Sequence, residues 1–208
     1  MERNKRFPGI AVAFFLMVAA CIPMAYAADP IVVGVSTSLG FLEGKESLKA
    51  VEMAVEEINA AGGVSVGATK RNLKDESIDL KDAAPGVPVP KALLGIEKII
   101  LEKKPAALVV GPFRSEALIA GMDIIAKHKV PLLGTIAMSP GSEAKIKENP
   151  EKYKYVFRTC LNAVHLVKYL AGTMAAINKE FGFNKVYVMH QDVAWARATA
   201  EFVQKMYF

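Results

Sequence analysis

Short apolar, β-branched runs alternate with stretches of helical periodicity along most of this chain, and that alternation constrains its fold more than any other feature. "IVVGVS" (31–36), "PAALVVGP" (105–112), "KVPLLGTIA" (129–137), "YVFRT" (155–159) and "KVYVMH" (185–190) read as strands, with "ESIDL" (76–80) as a further candidate. Between them, Leu48, Val51, Val55 and Ile58 fall on one helical face that stops at Gly62-Gly63. Leu93, Ile96 and Ile100 mark a helix from about Lys91 to Lys103, and Leu118, Gly121, Met122 and Ile125 mark one starting at Ser115. Later faces carry Val164, Val167, Leu170, Met174 and Ile177, then Phe202, Val203 and Met206 on a helix from about Trp195. Strands separated by helices of this length pair in parallel and need cover on both faces, so the fold class is α/β. Residues 64–90 are less regular, and "APGVPVP" is too rich in proline to be anything but a loop.

The first residues break the pattern. A basic head, an apolar run from Ile10 to Ala20 and the triplet Ala25-Tyr26-Ala27 have the layout of a secretory signal peptide, and the apolar run is short for a bilayer span. Residues 1–27 are therefore assigned as a leader, with the mature chain starting at about Ala28 in an extracytoplasmic, periplasmic compartment. Val18-Ala19-Ala20-Cys21 is the alternative processing box, after which Cys21 would carry lipid. Once the leader is gone Cys160 is the only cysteine, and it reads as a small buried hydrophobe. The chain has 208 residues, 52% of them hydrophobic, enough for one full core and part of a second. Its formal net charge is +5, of which Arg3, Lys5 and Arg6 belong to the leader, so the remaining excess is too mild for a nucleic-acid partner.

Parallel α/β sheets take ligands beyond the carboxyl ends of their strands. "LVVGPFRSEALIAGMDII" (108–125) places a strand, a Gly-Pro break and then Arg114-Ser115-Glu116 at such an end. Ser115 stands where a helix begins, so its hydroxyl and the free backbone N–H groups could face an anion such as a carboxylate, or Ser115 could simply cap its own helix. Arg114 is open in the same way, between an anion contact and a solvated charge.

Taken in order, "IVVGVSTSLG", "GKESLKAVEMAVEEINAAGGV", "VVGPFRSEALIA", "KVPLLGTIAMSP", "YVFRT" and "KVYVMHQDVAWARATAEFV" resemble the periplasmic substrate-binding proteins of branched-chain amino acid ABC transporters, from about Ile31 to the end. The resemblance implies a type I periplasmic-binding-protein fold, a two-lobed clamp that closes on an amino acid or similar small carboxylate and presents it to the membrane permease of an ABC transporter. It implies that Ser115 holds the ligand carboxylate and that Ile136, Ala137 and Met138 lend backbone groups. Met138 stands where the family has a hydroxyl, so Ser139 or Thr135 would have to substitute. Trp195 falls on the aromatic that packs over the ligand, with a plain surface or core aromatic as the other reading. Glu43 replaces the usual aromatic of the first loop, with Phe41 nearby, and would either favour an amino-bearing ligand or face solvent. Residues 28–142 then form the first α/β lobe, complete, and 143–208 the crossover and start of an incomplete second lobe. That lobe needs further strands, so the expectation is a fragment whose helices around Val164, Leu170, Phe202 and Met206 leave apolar area exposed.

Other chemistry finds no carriers. Gly34 and Gly40 do not make a dinucleotide fingerprint, and there is no phosphate-loop motif. His128, His165 and His190 lack metal-ligand spacing, though His190 ends a predicted strand and could line a cleft. No nucleophile elbow or acid–base pair stands out, so the reading is a non-enzyme with no cofactor and no metal. Transport receptor leads, with a ligand sensor built on the same clamp as the alternative.

Overall fold

The computed structural model describes residues 29–207; the leader and Cys21 lie outside the described residues. The first strand, β1 (Ile31–Thr37), runs into helix α1 (Leu42–Ala60). This helix stops where the sequence supplies two glycines. Gly62 and Gly63 take φ of +92° and +79°, and the Gly63 N–H donates back to the Ile58 carbonyl at 2.8 Å. A short antiparallel hairpin follows, β2 (Val64–Val66) and β3 (Thr69–Arg71), which the irregular pattern of residues 64–90 concealed. β4 (Leu73–Asp79) then pairs with β1 residue for residue, from Ile31 opposite Leu73 to Thr37 opposite Asp79. Asn59 locks this register: its side chain donates to the Leu73 carbonyl and accepts the Leu73 N–H.

Helix α2 (Val89–Lys103) starts two residues earlier than its periodicity suggests, because Pro90 sits in the first turn, where a missing N–H costs nothing. After it come β5 (Ala107–Val110), α3 (Ser115–His128), β6 (Leu132–Gly134), α4 (Gly141–Glu148), α5 (Pro150–Tyr153) and β7 (Val156–Arg158). All five long-range strands are parallel, in the spatial order β4-β1-β5-β6-β7. The core fills the space between the sheet and α2 and α3, with Leu80, Ile96, Ile99, Leu108, Met122, Ile125 and Leu132 fully buried. α1 is looser: Val51, Val55 and Ile58 face Val33 and Val109 across a gap of ≈ 350 Å³.

Two features differ from the sequence reading. β7 completes the first sheet, and Tyr153 and Val156 belong to its core, so the division expected at residue 142 falls inside α4. The strand expected over Lys185–His190 is absent: after α6 (Ala163–Phe181) the chain runs without regular structure to α7 (Ala194–Tyr207), with Tyr187 90% and Met189 85% exposed. A β-branched run needs neighbouring strands to take its N–H and C=O groups, and among the described residues none lies beside this one. α6 and α7 pack on one another, with Val167, Ala196, Ala200 and Val203 buried, while Val164, Leu170, Phe202 and Met206 remain exposed, as expected. Among the described residues no helix is long and apolar enough to cross a membrane.

Candidate ligand site

In the order β4-β1-β5-β6 the connection leaving β1 runs outward to β4 while the one leaving β5 runs the other way to β6, so the two diverge between β1 and β5 and open a crevice at the carboxyl ends of the strands. The loops around it are tied together by one buried carboxylate. Asp82 is fully buried; its Oδ1 accepts the Ser38 hydroxyl at 2.8 Å and its Oδ2 accepts the Arg114 N–H at 2.8 Å. Ser38 Oγ in turn accepts the Ala83 N–H at 2.6 Å. The loops after β1, β4 and β5 thus share one hydrogen-bonded node, which fixes the turn that leads into Ser115. Gly44, in the first turn of α1, lies so close to the Ser38 carbonyl that a Cβ there would sit 2.1 Å from the oxygen.

The crevice opens into a cleft of ≈ 600 Å³. Glu43, Glu46, Ser47 and Ala50 of α1 form one wall, and Phe113, Thr135, Ile136 and Met138 form the floor. Cys160, Leu161 and Trp195 close the far side. Apolar surface with a few polar groups is the usual character of a small-molecule site.

Of the residues singled out in the sequence, Glu43, Ile136, Met138 and Trp195 meet in this cleft. Ser115 and Ala137 do not line it; they are buried directly behind it, 1% and 3% exposed. Ser115 does not cap its own helix. Its Oγ accepts the Ser139 N–H at 3.2 Å, which ties α3 to the β6–α4 loop and leaves the hydroxyl proton free to donate. Ser139 Oγ accepts the Gly141 N–H at 3.1 Å, and Ser139 does not line the cleft. Thr135 lines the cleft with an Oγ1 that has no partner among the described residues, so of the two substitutes for the missing hydroxyl at Met138 it is the available one. Arg114 turns its guanidinium to the Val87 carbonyl, away from the cleft. Phe41 packs on Phe113, ring centroids 6.0 Å apart.

Some placements depart from expectation. Cys160 is half-buried and lines the cleft, its Sγ 3.5 Å from the Ala137 carbonyl. His190 lines a separate hollow between α6 and α7. His128 bonds Glu97 at 3.0 Å and His165 is exposed on α6.

The residue missed altogether is Arg158, whose strand pattern hid its role. Its guanidinium donates to the carbonyls of Ala137 and Ser139, to Ser142 Oγ and to both oxygens of Glu143. The floor loop of the cleft is therefore pinned from below by one cation. Burial works against the charge on both partners, yet the hydrogen bonds between them prevail: the Arg158 pKa is raised and the Glu143 carboxyl is held below the usual carboxylate range. Asn162 adds a donor to Glu143 at 3.0 Å. Among the described residues no three His, Cys, Asp or Glu side chains gather where a metal ion could sit.

Solved structures share this fold at low sequence identity. The branched-chain amino acid transporter substrate binding protein LivJ from Streptococcus pneumoniae, in complex with isoleucine, superposes with a TM-score of 0.69 at 21% identity over 86% of this chain and 47% of its own. An ABC transporter substrate-binding protein from Desulfitobacterium hafniense in complex with Leu gives 0.61 at 20% identity, covering 85% of this chain and 46% of that one. An ABC transporter solute binding protein from R. palustris in complex with 4-hydroxybenzoate gives 0.60 at 18%, covering 86% and 44%. The chain thus spans under half the length of each. No curated protein matches it by sequence. The sequence profile described as "Periplasmic binding protein" matches residues 31–207, from the first strand to the last described residue, and on that match the chain belongs to the periplasmic binding protein family.

Proposed function

We propose that this chain belongs to an extracytoplasmic receptor that captures an amino acid or similar small carboxylate and delivers it to the membrane permease of an ABC transporter. The observation that carries the reading is the cleft at the carboxyl ends of β1, β5 and β6, with the N-terminus of α3 and the Ser115 hydroxyl directly behind its floor. Isoleucine, leucine and 4-hydroxybenzoate, the molecules bound by the similar structures, differ in bulk and in amino group but share a carboxylate. A helix N-terminus with a hydroxyl donor is chemistry suited to that common group. Thr135 Oγ1 adds a second hydroxyl, and Phe113, Ile136, Met138 and Trp195 offer apolar contact to the remainder of the ligand. The leader read over residues 1–27 supports export.

Trp195 is the chain's only tryptophan and lines the cleft, so its emission reports occupancy directly. Leucine, isoleucine and 4-hydroxybenzoate should quench or shift it saturably. Their amides should respond at least tenfold more weakly, because a hydrogen bond to a charged group contributes about 1.5–3 kcal/mol. Ser115→Ala should weaken the acids by a similar factor and leave the amides unchanged. Equal response to acids and amides would remove the carboxylate from the reading.

A further inference from the structure

We propose that Glu116 is a positioning residue that docks α7 onto the first lobe and thereby holds Trp195 over the cleft. It rests on the reading of this cleft as a ligand site, but its geometry is independent of any ligand. Glu116 stands in the first turn of α3, beside Ser115, and its Oε1 accepts the N–H of Ala194, the first residue of α7, at 2.9 Å. The contact joins residues 78 positions apart in sequence. The first amides of a helix have no acceptor within it, and its N-terminus carries positive partial charge, so a carboxylate placed there satisfies both. The other acid at this end, Asp192, is paired with Arg197 instead.

Little else fixes the amino end of α7. The preceding segment has no regular structure and is largely exposed from Phe183 to Asp192. The buried residues of α7, Ala196, Thr199, Ala200 and Val203, lie beyond Trp195 in sequence. Glu116 Oε2 is buried with no hydrogen-bond partner among the described residues, so the carboxylate has given up water for a single donor and the field of the helix end. Removing that acceptor should free Trp195, which directly follows Ala194.

The test uses the 208-residue chain without ligand. In Glu116→Ala, Trp195 emission should move to the red, its quenching by acrylamide should rise, and the Ala194 amide should exchange roughly ten- to a hundredfold faster, as expected for a lost hydrogen bond to a charged group. Glu116→Gln, which keeps an acceptor, should fall between this variant and the wild type. Ala194→Pro removes the donor without touching α3, and proline suits the first position of a helix. It should reproduce the emission and quenching changes, and the double variant Glu116→Ala with Ala194→Pro should add nothing. If Glu116→Ala loses helix content, Ala194→Pro decides alone. Wild-type emission and quenching in a folded Glu116→Ala or in Ala194→Pro would overturn the assignment. Because no ligand enters these measurements, their failure is distinct from failure of the carboxylate test.

Discussion

Replacing Arg158 by Leu removes the cation beneath the cleft floor and takes a charged donor from each acceptor it serves, although Asn162, Ser142 and Cys160 still donate to some of them. Its side chain is 13% exposed while that of its partner Glu143 is 41% exposed, so the pair is buried on one side only. Taking one partner from a fully buried pair costs about 3–5 kcal/mol, whereas an exposed pair contributes about 0–1 kcal/mol. Water can reach Glu143 but not easily the Ala137 carbonyl, and 3%-exposed Ala137 marks the inner end of the network. A loss of about 2–4 kcal/mol follows, between those limits. With a urea m-value of about 2 kcal/mol/M, the unfolding midpoint should fall by roughly 1–2 M. The loss should be local before it is global: amide exchange should accelerate from Ile136 to Ser139, with the sheet amides of β1 and β4 little affected. Arg158→Lys keeps the charge but not the planar fork of donors, and should recover less than half of the loss. A midpoint shift below about 0.3 M in Arg158→Leu, or a larger shift with unchanged exchange in the floor loop, would refute the view that this guanidinium sets the loop.

Acid should expose a second carboxylate. Asp123 accepts from Lys145, Lys152 and the Tyr153 hydroxyl, and the Lys145 hydrogen bond foremost holds its carboxyl far below the usual range. A group whose pKa is lowered on folding contributes stability that is present above the unfolded value, about 3.9, and is lost as pH falls through the folded one. Asp123→Asn should therefore lower the thermal midpoint at pH 7, with the difference from the wild type shrinking below about pH 4; a difference constant with pH would contradict it. Gly44→Ala should destabilise by about 1–3 kcal/mol despite the helix propensity of alanine, because its Cβ meets the Ser38 carbonyl; a variant more stable to urea would show that the turn yields.

The sheet was legible because its evidence is local. A strand of four β-branched or apolar residues followed by a helix face repeats often enough that β1, α2, β5, α3, β6 and β7 stand where the periodicity puts them, to within a few residues. The hairpin β2–β3 was not legible: its strands carry Ser65, Lys70 and Arg71, and only Gly67, at φ +59°, marks the turn. "KVYVMH" fails for the opposite reason. Its β-branched pattern is strong, but a strand exists only through a neighbour, and pairing is a property of the surroundings rather than of the segment.

The site divides along the same line. Glu43, Ile136, Met138 and Trp195 could be brought together from a resemblance of short motifs, and they meet in the cleft. The side chains that shape it gave no such signal. Asp82 sits in a loop beside two prolines, Arg158 in a run that reads only as a strand, and Glu116 next to a serine that draws attention first. Each acts on backbone groups far away in sequence: Asp82 on the Arg114 N–H, Arg158 on the Ala137 and Ser139 carbonyls, Glu116 on the Ala194 N–H. Backbone groups carry no residue identity, so a charged side chain that serves them leaves no partner to find in the sequence. The helix start at Ser115-Glu116 shows what this implies for function. One residue reaches across to the β6–α4 loop and the next to α7, so a single turn of α3 sets both the floor of the cleft and the aromatic on its far side.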